Sequence, residues 1–81
     1  MRTKQIVPGI KNSHKFRAIV NGVGFYMTVN QMQEMPFTSQ RIAVWQTLEH
    51  CVVQKLAGFS QRVKVYNDYL YSTEVDVQVK L

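Results

Sequence analysis

Apolar and polar residues alternate through residues 15–29, whose sequence is KFRAIVNGVGFYMTV, with a break at the Asn-Gly pair at 21–22. A period of two predicts β-strands, because successive side chains of a strand point to opposite faces of the sheet. Asn-Gly is the preferred pair for a two-residue hairpin turn, since both of its residues tolerate positive φ. The segment therefore predicts an antiparallel hairpin in which Val20 faces Val23.

The two faces of this hairpin differ in chemistry. The apolar face is expected to cover the core and comprises Phe16, Ala18, Val20, Val23, Phe25, Met27 and Val29. The outer face comprises Lys15, Arg17, Ile19, Tyr26 and Thr28. Arg17 is predicted directly across from Tyr26. Shifting the register by one residue would bury Arg17 and expose Phe25, so the pattern itself favours this pairing.

A helical periodicity follows between Thr38 and about Ala57. Thr38 is a suitable N-cap, and Phe37 can pack on Ile42 as a hydrophobic staple. Gly58 is expected to end the helix in the left-handed conformation. At about 100° per residue, the apolar side chains fall on one stripe of the helix, formed by Ile42, Val44, Trp45, Leu48, Val52, Val53 and Leu56. Trp45 is therefore expected in the core. The opposite, polar face holds Gln46, Thr47, His50 and Gln54.

Two short segments flank the hairpin. Residues 3–7 are predicted to form a strand, which the Pro-Gly pair at 8–9 ends. Residues 30–35 fit either a loop or one helical turn, which Pro36 ends.

Alternation returns in the last third of the chain, in residues 62–66 and 74–81, with the valines pointing inward. Pairing these strands neutralises their other face, because Glu74 and Asp76 come to lie across from Arg62 and Lys64. The connection needs extra residues or a bulge within 67–73. Residues 1–81 are thus predicted to form a single small α+β domain. It has one antiparallel sheet of four or five strands, in the order β-β-β-α-β-β, with one long helix packed on one face.

Charge is distributed unevenly along the chain. The net charge is +5, from 10 Lys and Arg against 5 Asp and Glu. Residues 1–30 hold five of the basic residues and no acid, whereas residues 31–81 hold five basic and five acidic residues. A one-sided field of this kind favours a nucleic acid or an acidic protein as partner, although a charged surface also serves solubility.

Catalytic and metal-binding chemistry is not indicated. Cys51 is the single cysteine, which excludes an intramolecular disulfide and suits a reducing compartment. His14, His50 and Cys51 are the imidazole and thiol candidates for a metal, but adjacent residues point about 100° apart on a helix, so His50 and Cys51 do not converge. No metal, cofactor or enzymatic activity is therefore expected. The chain shows no signal-peptide pattern and no apolar run near the roughly 20 residues that span a bilayer, so a cytoplasmic protein is expected.

Two resemblances to known families bear on function. Residues 38–45 and 62–69 resemble the helix and fourth strand of ribonuclease H-like domains, but that family needs carboxylates where this chain has Ala43 and on a first strand. This resemblance therefore does not imply two-metal hydrolysis. The basic start, at residues 1–4, and the helix with Trp45 resemble the small early proteins with which large tailed phages subdue host enzymes. That resemblance implies an accessory inhibitor or a nucleic-acid-binding protein in the bacterial cytoplasm.

The outer hairpin face is the candidate binding site. Nucleic-acid contact is predicted for Lys4, Lys11, His14, Lys15, Arg17 and Tyr26. Lysine and arginine would neutralise phosphates with release of counterions, and Tyr26 would stack an unpaired base. RNA is favoured over DNA because it more often offers single strands. The simpler alternative is a cation–π pair between Arg17 and Tyr26 on a solvated face.

A second functional class is a protein-binding inhibitor of a host enzyme or toxin. The basic hairpin face would then cover an acidic surface of the partner. The C-terminal strand, residues 74–81, has no proline to protect an edge. It is therefore also predicted to be able to pair with another chain, or with its own copy as a homodimer.

Overall fold

The computed structural model describes residues 5–36, 38–66 and 72–81. Its elements, in chain order, are β1 (Lys15–Val20), β2 (Val23–Thr28), α1 (Val29–Met32), α2 (Thr38–Gln54), β3 (Gly58–Tyr66) and β4 (Ser72–Lys80). The strands form one antiparallel sheet in the order β2-β1-β4-β3. Helix α2 packs on one face of the sheet, mainly against β3 and β4. The predicted α+β fold with one long helix is confirmed, with four strands among the described residues.

Residues 5–7 do not form a strand, contrary to the prediction for residues 3–7. Of the residues predicted as a first strand, 5–7 are described, and they form an irregular loop. Val7 is nevertheless fully buried, and Ile10 joins the same core. The Ile6 N–H donates a hydrogen bond to Asn12 Oδ1 at 3.1 Å, which holds the loop closed. The apolar residues here anchor a loop on the core, so the described sheet begins with the hairpin.

The hairpin of β1 and β2 has the predicted turn and register. Asn21 and Gly22 have φ of 48° and 84°, the positive values that a two-residue hairpin turn requires. Val20 pairs with Val23, and the pairing continues without a bulge to the other end of both strands. Asn21 also ties the turn to β4. Its N–H donates to the Asp76 carbonyl oxygen at 2.8 Å, and its Oδ1 accepts from the Asp76 N–H at 3.0 Å.

The pair formed by β3 and β4 carries the predicted charge pairing. Arg62 lies across from Asp76, and Lys64 lies across from Glu74. On the other face, the valines of β4 are buried in the core, as predicted. Most of the predicted longer connection falls in residues 67–71, which lie outside the described residues.

One helical turn follows β2, which decides between the two alternatives for residues 30–35. Thr28 and Gln31 form a capping box at the start of α1. The Gln31 N–H donates to Thr28 Oγ1 at 3.1 Å, and the Thr28 N–H donates to Gln31 Oε1 at 3.0 Å. Met32 and Met35 are buried, so this segment adds to the core.

The carboxyl end of α2 differs from the prediction. The helix stops at Gln54, and Lys55 adopts the left-handed conformation with φ of 56°. The Leu56 N–H donates to the Cys51 carbonyl oxygen at 2.8 Å. The Lys55 N–H donates to the Val52 carbonyl oxygen at 3.3 Å. These two bonds form the Schellman pattern, here with a lysine in the position that usually holds glycine.

Gly58 is required for a different reason from the one predicted. It begins β3 across from Lys80, and a Cβ on it would lie 2.8 Å from the Val79 carbonyl oxygen. A larger residue would push the two strands apart, so this glycine serves close strand packing. The predicted staple from Phe37 lies outside the described residues.

The buried face of α2 is rotated from the predicted apolar stripe. Its fully buried residues are Ala43, Val44, Thr47, Leu48 and Cys51. The Thr47 hydroxyl, predicted on the polar face, donates to the Ala43 carbonyl oxygen at 2.8 Å and accepts from Gln61 Nε2 at 2.7 Å. Val53, predicted in the stripe, is 66% exposed. Helix α2 lies across β3 and β4, and β3 supplies the amide that satisfies the buried threonine.

Val23 and Phe25 depart from the predicted core face of the hairpin. Their side chains are 57% and 36% exposed. The remaining residues of that face are buried, as predicted: Phe16, Ala18, Val20, Met27 and Val29. The cause is the strand order, because β2 is an edge strand and α2 covers mainly the other half of the sheet. An apolar strip of the edge strand is therefore left in water.

Candidate nucleic-acid interface

The outer face of the sheet, opposite α2, brings basic residues from both ends of the chain together. Pairing of the strands sets Arg17 across from Tyr26 on one side and across from Lys80 on the other. Paired residues share a face, so these three side chains form one row across β2, β1 and β4. Lys15 lies two residues from Arg17 on the same face of β1. All four residues are exposed. Together they are called the outer patch.

Lys80 is the residue of this patch that sequence reasoning missed. Its alternation with the buried Val79 places it on the outer face. Its position beside Arg17, however, depends on the pairing of β1 with β4, which joins residues far apart in the chain. Like charges directly across from each other destabilise a strand pair. An anion bound between Arg17 and Lys80 would relieve that repulsion.

The far end of the same face is electrically neutralised. Arg62 Nε lies 2.8 Å from Asp76 Oδ1, and Arg62 Nη1 lies 3.6 Å from Glu74 Oε2. The hydrogen bond to Asp76 is the main cause that raises the pKa of Arg62 above its ordinary value. Within 5–36, 38–66 and 72–81 these are the ion pairs present, and neither involves the outer patch. One end of the face is thus cationic and the other is charge-balanced.

The other predicted contacts lie beside the patch rather than in it. Lys11 and His14 are exposed at the two ends of a turn that leads into β1, in which the His14 N–H donates to the Lys11 carbonyl oxygen at 3.0 Å. The Val29 N–H donates to the His14 carbonyl oxygen at 3.1 Å, so His14 extends the hairpin pairing by one residue. Strand alternation then directs His14 away from the face that carries Lys15. Lys4 lies outside the described residues.

The alternative reading, a cation–π pair between Arg17 and Tyr26, is not found in the described parts of the chain. The cation–π contact there places Lys64 Nζ 5.8 Å from the ring centre of Tyr66, at the neutralised end of the face. The Tyr26 side chain is 73% exposed. Gly24 precedes it by two residues on the same face, and a Cβ on Gly24 would meet nothing within 4 Å. The space beside the tyrosine ring is therefore open.

The C-terminal strand is not the free edge that the sequence suggested for residues 74–81. β4 pairs with β3 along its whole length and with β1 through residues 77–80. The two edges of the described sheet belong to β2 and β3. The prediction was wrong because alternation identifies a strand but does not give its position in the sheet.

Two further features bear on the chemistry of the molecule. Trp45, predicted in the core, is half-buried and lines a groove of about 620 Å³, where its Nε1–H donates to Glu49 Oε2 at 3.1 Å. Cys51 is fully buried, and burial raises the pKa of its thiol, which disfavours the reactive thiolate. The described residues bring no three His, Cys, Asp or Glu side chains together as metal ligands. No helix in the described ranges has the length and apolar character to cross a membrane.

Comparisons with known proteins identify no relative from which a function could be transferred. No family model matches this chain, and neither the curated proteins nor the solved structures contain a significant match. The outer patch, with its geometry and charge, is therefore the feature from which a function can be inferred.

Proposed function

We propose that this protein binds single-stranded nucleic acid, RNA in preference to DNA, and that it does so without catalysing a reaction. One observation carries the proposal. Three cations, Lys15, Arg17 and Lys80, are grouped with an exposed tyrosine on one end of the sheet face, while the acids of that face neutralise its other end.

The cations of the outer patch suit the phosphates of a single strand. Arg17 can bind a phosphate through two parallel N–H bonds, whereas Lys15 and Lys80 act as mobile point charges on either side of it. Each phosphate that is neutralised releases condensed counterions, so affinity falls as salt rises. The repulsion between Arg17 and Lys80 in the free protein adds to the gain on binding.

Tyr26 supplies the contact that favours a single strand over a duplex. A base can stack on its exposed ring. In a duplex the bases already stack on each other and their faces are not accessible. RNA is the favoured ligand because its loops and ends present unpaired bases.

The resemblance to early phage proteins adds a biological setting to the proposal. In that setting the protein acts in the bacterial cytoplasm and binds an RNA that serves a host process. The same unpaired cations also fit an acidic protein surface, so inhibition of a host protein is the second candidate function. Retention of one partner on the immobilised protein after nuclease treatment of a lysate would favour this second candidate.

The proposal is tested by titrating a labelled single-stranded RNA with the protein at low and at high salt. We expect strong binding at low salt and loss of binding at high salt. Arg17→Glu should abolish binding, because it reverses a charge at the centre of the outer patch. Lys64→Glu is the matched control, with the same change of charge on the same face but at its neutralised end. Affinity that does not change with salt, or equal affinity of the two variants, would contradict the proposal.

A further inference from the structure

In the part of the chain that the structure describes, β2 forms an edge of the sheet that lacks the usual protective features. Its sequence, VGFYMT, contains no charged residue and no proline, and its pairing with β1 has no bulge. Proteins usually protect edge strands with one of these devices, because a bare edge pairs with other strands. The opposite edge, β3, does carry charges, at Arg62 and Lys64.

The hairpin turn determines which backbone groups point off this edge. The turn closes with a hydrogen-bonded pair between Val20 and Val23, and such pairs recur at every second residue along an antiparallel ladder. The bond from the Val29 N–H to the His14 carbonyl oxygen belongs to the same series of hydrogen-bonded pairs, because Val29 lies an even number of residues after Val23. The N–H and C=O groups of Gly24 and Tyr26 therefore point away from β1. No hydrogen bond found in the described residues uses these four groups.

We propose that β2 pairs in antiparallel fashion with β2 of a second copy of this chain, about a two-fold axis at Phe25. Gly24 of each copy then faces Tyr26 of the other, and the two pairs exchange four hydrogen bonds. A two-fold axis at Tyr26 would instead require the Thr28 N–H. That group already donates to Gln31 Oε1 at 3.0 Å, which favours the axis at Phe25.

The same register buries the apolar strip of the edge. On the inner face of the sheet, Phe25 lies across from Phe25 of the second copy, and Val23 lies across from Met27 of the second copy. A groove of about 380 Å³ runs along this edge, with Met27, Met35 and Pro36 in its lining. It can receive Val23 of the second copy. Val23, which the fold leaves exposed, thus packs into a groove that Phe25 and Met27 help to line.

Self-complementarity of the backbone groups, together with the absence of like-charge opposition, favours a second copy as the occupant. Because β2 has no charged side chain, pairing with itself opposes no like charges. Each free donor of one copy meets a free acceptor of the other, since the two strands are identical and antiparallel. A basic foreign strand would instead lie next to the cations of the outer patch.

The dimer extends the outer patch, a consequence that rests on the proposed function. A two-fold axis perpendicular to the sheet keeps both outer faces on the same side. The two Tyr26 side chains then flank the axis, with Arg17 and Lys80 of each copy farther out. Lys80 of one copy is five strand spacings from Lys80 of the other, or about 24 Å. The joint surface would span several nucleotides of a single strand.

Cysteine cross-linking tests the register. At a non-hydrogen-bonded pair the Cα atoms lie about 4.5 Å apart, within the disulfide range of about 4.4–6.8 Å. Phe25→Cys should therefore cross-link the dimer under mild oxidation. Val23→Cys is the control, because the two Val23 Cα atoms would lie about 13 Å apart along the strands. Cys51 is fully buried and should not compete. Faster cross-linking of Val23→Cys, or no cross-linking of either folded variant, would overturn the proposal.

Sedimentation equilibrium without nucleic acid tests the edge bonds, independently of any RNA binding. The wild-type mass should approach twice the 9.4 kDa of one chain as concentration rises. Gly24→Pro removes an outward N–H but no bond to β1, and edge strands tolerate this change. It should raise the dimer dissociation constant at least about tenfold, because two of the four hydrogen bonds are lost.

Gly24→Ala is the matched control for that experiment. It keeps the N–H, and its Cβ meets nothing within 4 Å, so it should dimerise like the wild type. Thermal unfolding of both variants should be cooperative, which shows that the hairpin is intact. A wild-type protein that remains monomeric at every concentration would overturn the proposal, as would equal dissociation constants for the two variants. Binding of a different polypeptide at β2 of a monomer would also overturn it.

Discussion

In the proposed function, Tyr26 is the residue of the outer patch that would contact bases rather than phosphates. Its side chain is 73% exposed and lies on the face opposite the core, so the fold gains little from it. Tyr26→Ala should weaken binding of single-stranded RNA by about 1–3 kcal/mol, the range of one base–aromatic stacking contact. Tyr26→Phe should bind like the wild type, because it keeps the ring. RNA titrations of the three proteins measure the difference.

The same titrations separate stacking from other roles of Tyr26. A loss of affinity in both variants would assign the effect to the hydroxyl group and contradict stacking. Urea denaturation provides the stability control. All three proteins should unfold at similar urea concentrations, since the Tyr26 side chain is largely exposed.

Lys55 offers a prediction about stability alone. It has φ of 56°, a left-handed value that costs a non-glycine residue about 1–2 kcal/mol. Lys55→Gly should therefore raise the free energy of unfolding, by roughly 1 kcal/mol once the greater freedom of glycine in the unfolded chain is subtracted. Denaturation in urea measures the change. Lys55→Ala, which removes the charge but keeps the Cβ, is the control and should show no such gain. Destabilisation by the glycine would contradict the assignment of strain to this residue.

The pairing of neighbouring strands was predictable wherever a turn motif or the pattern of side chains within the two strands determines it. The Asn-Gly turn and the alternation around it gave the register of β1 with β2, including the pairing of Arg17 with Tyr26. The sequence also predicted that Glu74 and Asp76 of β4 lie across from Arg62 and Lys64 of β3, without specifying which residue faces which. In each case the information lies within one pair of strands and needs no knowledge of the rest of the sheet.

The arrangement of elements was not predictable by the same route. Which face of α2 is buried, and whether Val23 and Phe25 are covered, depends on which strands the helix crosses. That in turn depends on the order β2-β1-β4-β3, which places β4 in the interior. The residues of the candidate site also divide into those that a local signal predicts and those that depend on the strand order. Lys15, Arg17 and Tyr26 follow from the hairpin, whereas Lys80 joins them only through a pairing between the two ends of the chain.

Asn21 belongs to the hairpin turn and is also hydrogen-bonded to β4, so its replacement tests the link between the hairpin and β4. Asn21→Gly keeps the positive φ but removes the hydrogen bond from the Asp76 N–H to Asn21 Oδ1. It should lower the free energy of unfolding by roughly 0.5–1.5 kcal/mol. Asn21→Ala loses the same bond and also strains the turn, so it should cost about 1–2 kcal/mol more. Urea denaturation compares the two variants. Equal stability of the wild type and Asn21→Gly would show that the side-chain bond contributes nothing.

At the scale of the whole molecule, the fold places the cations of the outer patch at one end of the sheet face and the ion pairs of Arg62 at the other. Residues 31–81 are neutral in sum, yet Lys80 from that part joins the basic residues of the first thirty. Arg62, from the same part of the chain, lies at the other end of the face and pairs with Asp76 and Glu74. Three of the described cations, Lys15, Arg17 and Lys80, are therefore grouped at one end of the outer sheet face, while the acids of that face lie at its other end. A charge field of this shape orients a polyanion before contact and speeds its association.

If the protein binds RNA as proposed, the dependence of that affinity on salt should report on this separation of charge, and a pair of lysines provides the test. For single strands, the slope of log affinity against log salt changes by about 0.7 for each phosphate contact. Lys80→Gln should make the slope shallower by about this amount per protomer, because it removes one cation from the outer patch. Lys64→Gln removes the same charge from the neutralised end and should leave the slope as in the wild type. If instead both variants reduced the slope equally, net charge would control binding and the grouping of Arg17 with Lys80 would have no role in it.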